Sequence, residues 1–561
     1  MHEVTSTNAR KKAAPYIIGK PAVTPANLEE VDLTALAAQL TVRQKAFAAM
    51  AAGDDADAGD IAPLAFEALS DPKTKEVHSL SVELTEDHVQ ELKDTYGEAL
   101  IIEKNHSLQM FSGLAQFEMS HSPMLTTQND DFKVTLKVID DDGAPVEGVQ
   151  VDLLGELWSD RQRTNAQGKV TLKLPGETYE TLTELRLKAA SGFWSRVIAA
   201  PQFASRDNVV RVSALPTSTD GPQIDLWGNQ AVGNVAMPQG DRVRVAVIDS
   251  GFADGHPDVV AAGGRGFADG GDPQEDWKSD DSGHGTHVAG TIGALNNAIG
   301  MRGIADRVDL FALRVFPGAT IAKLIAAIDT AIELEVDVVN MSLGGKEKSV
   351  LLQQRMQAAR AAGILLVAAA GNSGGPVMYP AAYPEVMAVA AIGKFGTYPE
   401  DSFHKRHETE HVSQDGQYFA AHFTCRGPQI DVCGPGVAVI STLPGPGFGS
   451  YDGTSMASPH VAGIAAVLLA QDAGIQAMAR DLTRSDALFA KVVGACKPLG
   501  LPSEFQGRGM PVLTAQGAPA DGPVADDDET PETPGGEAGL DMVADLIQKA
   551  IEAARKIKES A

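Results

Sequence analysis

The chain of 561 residues carries 46 basic and 74 acidic side chains, a formal net charge of −28, and 43% of its residues are hydrophobic. This length exceeds what one hydrophobic core supports, so three or more domains are expected, and the acidic balance argues against a nucleic-acid partner. No apolar run has the length of a membrane span, and the first thirty residues lack the apolar region of a secretory signal.

The cysteine content is low, with only Cys425, Cys433 and Cys496. Cys425 and Cys433 are close enough in sequence to pair if oxidised, but we expect buried free thiols in a reducing compartment. With the absence of a visible signal, this predicts a cytoplasmic protein that does not contact a membrane.

Residues 1–13 are expected to form a tail, and residues 14–112 mix two patterns. The stretches "APYIIGK", "VHSLSVEL" and "EALIIEK" are typical of strands, whereas "EEVDLTALAAQLTVRQKAFAAMAA" and the capped segment "TEDHVQELKDTYG" have helical spacing. This alternation predicts a small α+β domain, followed by a linker at 113–127.

Residues 128–212 change to short alternating strands separated by turn residues, such as "FKVTLKVID", "VQVDLL" and "GKVTLKLP". Polar and apolar residues alternate along these segments, as they do where one sheet face is buried. The segment is therefore predicted to be a small antiparallel β-sandwich.

In residues 213–516, strands that are almost continuously apolar alternate with helices, for example "RVRVAVID", "DVVNMSLGG" and "GILLVAAAG". Such strands belong in a parallel sheet that is covered by helices on both faces. The predicted fold class of this largest domain is therefore α/β.

The C-terminal part of the chain has two segments. Residues 517–537 form an acidic linker rich in Pro and Gly. Residues 538–561 predict an amphipathic helix with one apolar stripe: Leu540, Val543, Ile547, Ala550, Ala554 and Ile557. Two interpretations remain open, docking of this helix on the chain's own α/β domain, and binding of a protein partner or a second copy.

Chemistry-bearing residues stand at the ends of strands or the starts of helices in the α/β domain. Asp249 ends the strand "RVRVAVID", His284 begins the helix in "DDSGHGTHVAG", and Ser455 precedes the helix in "GTSMASPHVAG". Considered one at a time, Asp249 could be a turn cap, His284 a histidine of the core and Ser455 an N-cap. Taken together they predict one site, because ligands bind beyond the carboxyl ends of strands in open α/β sheets.

These motifs, in the order Asp, His, Ser and with small neighbours around each, resemble the subtilase family of serine endopeptidases over residues 213–516. The resemblance implies a subtilisin-like parallel sheet and hydrolysis of peptide bonds. Ser455 is then the nucleophile, His284 the base, and Asp249 the group that orients the imidazole. Asn372 in "VAAAGNSGG" and the Ser455 N–H are implied as the oxyanion donors.

The resemblance also implies an extended polypeptide substrate bound between two backbone edges. The expected substrate-binding residues are Gly318 on one edge, Ser342, Leu343 and Gly344 on the other, and Ala369, Ala370, Gly371 and Met378 around the first side-chain pocket. Met378 occupies a position where the family usually has a small residue, so we expect a shortened pocket.

A calcium site is implied by the similarity of "GALNNAIGMRGIA" to the family's calcium loop. The expected ligands are the carbonyls of Leu295, Ile299 and Met301 and the side chains of Asn297, Asp258 and Gln223. All are oxygen donors, as calcium requires. The alternative is an asparagine-rich turn without a metal.

An insertion near 396–420 departs from the family pattern. Its His404, His407 and His411 leave two interpretations open, a zinc site and a solvated polar loop, and we expect the loop.

Residues 14–112 resemble, more weakly, the propeptides of this family, with "EALIIEKNHSLQMF" as the last strand and the tail that enters the cleft. This implies an inhibited zymogen with Phe111 in the first pocket, Leu108 in the fourth, and autocatalytic cleavage between about 108 and 115. The β-sandwich separates this domain from the α/β domain. The alternatives are a binding scaffold without activity and an assembly driven by the C-terminal helix.

Overall fold

The computed structural model describes residues 13–23, 28, 30–40, 66–111, 132–189, 191–238 and 242–514. The linkers predicted at 113–127 and 517–537, the helix predicted at 538–561 and residues 1–12 of the predicted tail lie outside these described residues. Within them, no helix combines the length and the apolar character that crossing a membrane requires.

The N-terminal domain is a sheet with two helices. Its described elements are β1 (Ala14–Gly19), α1 (33–40), β2 (Phe66–Ser70), β3 (Val77–Leu84), α2 (Glu86–Tyr96), β4 (Ile101–Lys104) and β5 (Gln109–Met110). Four of these strands pair antiparallel in the order β2-β3-β1-β4. Apolar residues of β1, β3 and both helices form its core. Thr85 caps α2 by accepting the His88 N–H.

The second domain is a two-sheet sandwich. Its strands are β6 (Phe132–Ile139), β7 (Gln150–Gly155), β8 (Ser159–Arg163), β9 (Lys169–Leu174), β10 (Leu182–Lys188), β11 (Arg196–Ala199) and β12 (Asn208–Arg211). The described strands lie in the orders β11-β10-β7-β8 and β12-β6-β9. The expectation of a fully antiparallel sandwich is wrong in one place, because β12 runs parallel to β6. Alternating burial along β9 shows one face turned to the core.

The third domain contains the remaining described elements. Its helices are α3 (Trp227–Val232), α4 (His284–Gly293), α5 (Ile321–Glu333), α6 (Val350–Ala361), α7 (Thr454–Ala470), α8 (Ala473–Gln476), α9 (Leu482–Gly494) and α10 (Ser503–Gln506). Its strands are β13 (Arg244–Asp249), β14 (Ala261–Gly266), β15 (Asp309–Arg314), β16 (Val338–Met341), β17 (Leu343–Gly344), β18 (Leu365–Ala369), β19 (Met387–Lys394), β20 (Tyr418–Ala420), β21 (Val432–Pro435), β22 (Val439–Leu443), β23 (Gly447–Tyr451), β24 (Cys496–Lys497) and β25 (Met510–Pro511).

The main sheet of this domain has the order β14-β15-β13-β16-β18-β19-β20, and β21 also pairs with β19. All of these pairings are parallel except that of β20 with β19. Helices α4 and α7 pack on each other, and α7 lies along the central strands, while α5 and α6 form another packed pair. The predicted α/β class, with an added α+β domain and a β-sandwich, is confirmed. Strands β13, β16 and β18 are neighbours, so residues at their carboxyl ends meet at one edge.

Candidate active site

Asp249 and His284 meet where a strand ends and a helix begins. Asp249 is the last residue of β13, and His284 is the first residue of α4. Both side chains are buried, and His284 Nδ1 lies 2.6 Å from Asp249 Oδ1. A carboxylate at Nδ1 holds that nitrogen protonated and leaves Nε2 as the proton acceptor.

Asp280, which the sequence analysis did not single out, fixes the helix that carries His284. Its Oδ1 accepts the Gly283 N–H at 2.9 Å, and its Oδ2 accepts the Thr286 N–H at 2.8 Å and the Thr286 hydroxyl at 2.7 Å. Ser250, directly after Asp249, donates its hydroxyl to the same carboxylate at 2.8 Å. An aspartate shortly before a helix start is a capping signal. Its bond to the neighbouring strand is a tertiary contact that the signal does not reveal.

The charge around His284 favours its protonated form. Full burial lowers the pKa of an imidazole, but the attraction of the Asp249 and Asp280 carboxylates outweighs burial and raises the pKa of His284 above its ordinary value. The next histidine along the helix behaves in the opposite way. Burial and repulsion from His284 lower the pKa of His287 to about 3, so His287 stays neutral.

Ser455 lies in the first turn of α7 and is fully buried. Its hydroxyl donates to the Ser342 carbonyl oxygen at 3.0 Å, and the Ser342 hydroxyl donates to the Ser455 carbonyl oxygen at 2.9 Å. His284 Nε2 is buried and has no hydrogen-bond partner among the described residues. The hydrogen bond from Ser455 to His284 that the chemistry predicts is therefore not formed in this rotamer, because the Ser342 carbonyl competes as acceptor.

Asn372 and the backbone of Ser455 converge on a carbonyl oxygen of the same chain. Asn372 Nδ2 donates to the Phe111 carbonyl at 2.6 Å, and the Ser455 N–H donates to it at 3.4 Å. The other end of the amide is held by Thr454, whose N–H and hydroxyl donate to Asn372 Oδ1 at 2.9 and 2.8 Å. Because Oδ1 is occupied in this way, Nδ2 is aimed at the carbonyl, as an oxyanion donor must be.

Gly453 makes this approach possible. Its φ is +152°, and a Cβ at this position would stand 2.3 Å from the Phe111 oxygen. Only glycine therefore fits between the nucleophile turn and a bound carbonyl group.

The segment before Phe111 lies between two backbone edges. β5 pairs antiparallel with β17, with Met110 opposite Leu343, and the Phe111 N–H donates to the Ser342 carbonyl at 3.3 Å. On the other side, the Leu108 N–H donates to the Ala319 carbonyl at 2.9 Å. The chain is thus bound as an added strand.

The opposite edge differs by one residue from the expectation. The carbonyl oxygen of Gly318, the residue predicted to form this edge, accepts a hydrogen bond from Lys323 Nζ at 3.0 Å instead. Ala319 makes the contact to Leu108, and Thr320 forms a bridge with Ser107. Gly318 has a φ of +77°, a left-handed conformation that favours glycine at this turn.

Phe111, the residue predicted to occupy the first pocket, is buried, with only 4% of its surface exposed. Its ring lies against Gly344, where an added Cβ would come within 2.7 Å of the ring. Ala369 ends β18, and the buried Ala370 accepts the Met378 N–H at 2.9 Å. Cγ of Met378 lies 3.0 Å from the position of a Cβ on Gly371. Met378 thus packs against Gly371, and the shortened pocket expected from Met378 stays a prediction.

The loop predicted to bind calcium curls around a side chain. Nε2 of Gln223 donates to the carbonyls of Leu295 at 2.6 Å, Met301 at 3.1 Å and Ile299 at 3.4 Å. In this orientation the nitrogen of Gln223, and not the predicted oxygen ligand, faces the three carbonyls. The carbonyls still converge on one point, as oxygen ligands of a cation do.

Asp258 points into the same loop. Its Oδ2 accepts the Met301 N–H at 2.9 Å, whereas Oδ1 is buried without a hydrogen-bond partner among the described residues. Burial raises the pKa of Asp258 to about 7. Asn297, another predicted ligand, makes two hydrogen bonds, since its Oδ1 accepts the Ile299 N–H at 3.2 Å and its Nδ2 donates to the Pro257 carbonyl at 3.2 Å. An unpaired carboxylate oxygen beside three carbonyls fits a hard cation. The described residues contain no group of three or more His, Cys, Asp or Glu spaced for a metal ion.

Comparison with known proteins agrees with this geometry. The Subtilase family model matches residues 240–506. Subtilisin from Bacillus pumilus is 41% identical over 260 residues, which make up 45% of this chain and 85% of that protein. The chain belongs to the subtilase family.

Other relatives match the subtilase domain over smaller shares of their length. Subtilisin E from Bacillus subtilis (strain 168) is 41% identical over 260 residues, 45% of this chain and 61% of that protein. The thermostable alkaline protease of Halalkalibacterium halodurans is 44% identical over 233 residues, 41% of this chain and 57% of that protein. The chain thus spans less than two thirds of the length of subtilisin E.

The insertion of this subtilase domain is not a solvated loop, and that expectation is wrong. His404 and His407 are 2% and 3% exposed, and both lie against the buried Asp452. His404 Nδ1 is 2.7 Å from Asp452 Oδ1, and His407 Nε2 is 3.3 Å from Asp452 Oδ2. His411 lies elsewhere, with its ring 4.6 Å from that of Phe505. The pairing joins residues far apart in sequence, so the polar composition of the loop did not show it.

Proposed function

We propose that this chain is a serine endopeptidase that hydrolyses peptide bonds through an acyl-enzyme. Rotation of Ser455 about χ1 takes its hydroxyl from the Ser342 carbonyl to the unpaired Nε2 of His284. His284 then removes the hydroxyl proton during attack and delivers it to the leaving amine, while Asp249 stabilises the imidazolium. Asn372 Nδ2 and the Ser455 N–H donate hydrogen bonds to the carbonyl oxygen and stabilise the negative charge that develops on it.

One observation supports this proposal above the others. The Phe111 carbonyl oxygen lies within hydrogen-bond distance of both oxyanion donors, 2.6 Å from Asn372 Nδ2 and 3.4 Å from the Ser455 nitrogen. The carbonyl oxygen of a scissile peptide bond would occupy this place next to the nucleophile turn. This contact supports a role of the bound segment as a substrate.

The same contact leads us to propose that the N-terminal domain is both the first substrate and an inhibitor of the enzyme. Cleavage after Phe111 gives a free carboxylate there, and the strand pairing of β5 with β17 holds the product in the cleft. Contacts outside the cleft support this. Glu103 accepts the Ser349 hydroxyl at 2.6 Å and the Val350 N–H at 2.7 Å at the start of α6, and Asn105 Oδ1 accepts the Ala322 N–H at 3.0 Å.

Calcium binding is part of the proposal. The carbonyls of Leu295, Ile299 and Met301 and the Asp258 carboxylate would hold the ion, and rotation of the Gln223 amide would add a further oxygen. A bound cation would link the loop at 295–301 to Asp258 and so stabilise the fold. It takes no part in the chemistry at Ser455.

Two further points remain proposals. Residues 538–561 bind a protein partner, a second copy or the chain's own subtilase domain, and sedimentation velocity with and without this segment detects binding of a second copy. A cytoplasmic location is supported by Cys425 and Cys433, which are buried free thiols. Fractionation of cells that express the protein tests it.

The deciding experiment compares wild type with Ser455→Ala, and with Ser503→Ala as a matched control at an exposed serine of α10. We expect intact mass to show cleavage after Phe111 in the wild type and the control, and an uncut chain in Ser455→Ala. After dilution has released the cleaved N-terminal domain, a fluorophosphonate should label the wild type and Ser503→Ala but not Ser455→Ala. A chain that is uncut yet hydrolyses peptides contradicts the inhibitor role, and the absence of both labelling and hydrolysis contradicts the protease.

A further inference from the structure

The insertion places a buried charge cluster directly before the nucleophile turn. We call His404, His407 and Asp452 the His–Asp clasp. Asp452 is 5% exposed and also accepts the Ala438 N–H at 2.8 Å. Burial raises the pKa of its carboxyl, but attraction from His404 and His407 outweighs burial and keeps the pKa below its usual range. Asp452 is therefore a buried anion that depends on the two histidines of the insertion.

The clasp is continuous with the catalytic turn. Asp452 stands three residues before Ser455, and the residues between them are bonded on both sides. The Gly453 N–H donates to the Gly436 carbonyl at 2.8 Å, and Thr454 holds Asn372 Oδ1 through its N–H and hydroxyl. Asp452 is thus connected through Gly453 and Thr454 to the Ser455 N–H and the Asn372 amide, which are the two proposed oxyanion donors.

The outer side of the insertion is held by the β-sandwich. The Val197 N–H donates to the Asp401 carbonyl at 2.7 Å, and Arg196 Nε lies 2.6 Å from the Asp401 carboxylate. Arg406 forms an ion pair with Glu184 of β10. These contacts, at positions 401 and 406, lie on either side of His404 in sequence, so the sandwich holds the part of the loop that carries His404.

Trp194 completes the connection. It belongs to the sandwich segment of the chain, yet its side chain is 9% exposed and packs into the core of the subtilase domain. Its ring meets that of His404 edge to face at 5.6 Å. His404 is thus enclosed between a tryptophan from one domain and Asp452 from the other.

We propose that the β-sandwich is a positioning element of the active site, which acts through Trp194, His404 and Asp452 to set the geometry of the Ser455 turn. These are positioning residues, since none of them touches the bound Phe111 segment in the described contacts. The inference rests on the proposed endopeptidase activity and deepens it. It gives the sandwich a role in catalysis rather than in substrate recruitment.

The test measures kcat and KM on a peptide substrate, using the full chain after cleavage at Phe111 and release of the N-terminal domain. Active sites are counted by fluorophosphonate titration, and each variant is assayed well below its melting temperature. His404→Gln and Trp194→Leu should each lower kcat, on the order of tenfold to a hundredfold, because small displacements of oxyanion donors weaken transition-state stabilisation. KM should change little, since the edges at Ser342 and Ala319 are separate from the clasp.

A double-mutant cycle separates coupling from independent damage. If Trp194 acts through His404, the double variant loses no more than the worse single variant. Trp194→Phe should keep most of the wild-type kcat, unlike Trp194→Leu, because it retains an aromatic ring against His404. The matched control is Lys405→Gln, in the same loop but paired with Glu400 and Glu408 of that loop, and its kcat should equal that of wild type.

Each outcome has a defined meaning. Variants that melt earlier but keep the wild-type kcat per titrated site overturn the inference and leave the protease proposal intact, as do fully additive losses. If His404→Gln or Trp194→Leu does not fold, Glu184→Gln, which replaces the largely buried carboxylate that pairs with Arg406, carries the same test with a smaller expected loss. A wild-type chain that neither hydrolyses peptide nor reacts with fluorophosphonate refutes the proposed function itself.

Discussion

The Asn372 side-chain nitrogen lies 2.6 Å from the Phe111 carbonyl oxygen, although 261 residues separate them in sequence. The interaction joins the domain proposed as inhibitor to the residue proposed as oxyanion donor. Thr454 holds the other end of the amide, so the donor is oriented before any substrate arrives. Preorganisation of this kind is what lowers the barrier, because no reorientation is needed when charge develops on the oxygen.

The first prediction concerns this donor. Asn372→Ala should lower kcat by about 10²–10³, the range known for the corresponding asparagine of subtilisin, with little change in KM. Thr454→Val should cause a smaller loss in the same parameter, since it removes the hydroxyl that orients the amide, whereas Thr454→Ser keeps that hydroxyl and serves as its control. A loss confined to KM in Asn372→Ala would show that the residue binds the ground state only. Initial rates on a peptide substrate give both parameters.

The second prediction is the pH dependence of activity. The base form of His284 must be present, and its pKa is raised, so activity is lost as pH falls through that raised value. The acid limb of kcat/KM should therefore lie above the ordinary histidine value of about 6.5.

Two carboxylates cause this shift and can be removed separately. Asp249→Asn should move the acid limb to lower pH and reduce kcat on the order of 10⁴-fold, because the imidazole tautomer is no longer fixed. Asp280→Asn should move the limb in the same direction by less, since its attraction to His284 is the weaker. A profile that is flat from pH 5 to 8 in the wild type would contradict the role of His284 as base.

The sequence predicted the parts of this site that depend on local pattern. Asp249 was placed at the end of a buried strand by a continuous apolar run, and Ser455 at a helix start by small residues and a proline. The structure has both where the pattern puts them. Parallel strands share one carboxyl edge, so strand ends alone bring Asp249 close to the residues after β16 and β18.

What the sequence missed depends on contacts between distant segments. His404 and Asp452 are 48 positions apart, and a polar loop has the same composition whether it is solvated or folded onto a buried carboxylate. The cleft edge was assigned to Gly318 rather than Ala319 because residue identity does not fix which carbonyl faces a bound strand. The Ser455 rotamer follows from the Ser342 carbonyl, whose position only the folded sheet defines.

The third prediction concerns how the N-terminal domain is held. Glu103 accepts two hydrogen bonds at the start of α6, where the helix dipole also favours a negative charge. Hydrogen bonds to charged groups contribute about 1.5–3 kcal/mol, so Glu103→Ala should raise the inhibition constant on the order of tenfold to a hundredfold.

The measurement is the steady-state activity of the cleaved complex at increasing dilution. Glu98→Ala, at an exposed glutamate of the same domain, is the matched control and should behave as wild type. An unchanged dilution curve for Glu103→Ala would place the inhibitory contact in the cleft segment alone.

The fourth prediction concerns the cation loop. Calcium should raise the melting temperature of the wild type, with about 2.7 kcal/mol of stabilisation when its concentration is 100 times the dissociation constant. Asp258→Asn should lose most of this response, because it removes the buried carboxylate that faces the loop carbonyls. Asp254→Asn, at an exposed aspartate four residues earlier, should keep it. A wild type that melts at the same temperature with calcium and with EDTA argues against the site.

The response to calcium should also depend on pH. Without a cation, burial raises the pKa of Asp258 to about 7, above its unfolded value of about 3.9. The protonated carboxyl then favours the folded state at low pH, and this contribution is lost as pH rises through 7. Calcium binds the ionised form and must displace the proton below pH 7, so the shift in melting temperature should be smaller at pH 6 than at pH 8. In Asp258→Asn the calcium-induced shift in melting temperature should be the same at pH 6 and pH 8. That result would assign the pH effect to this carboxylate rather than to the acidic surface as a whole.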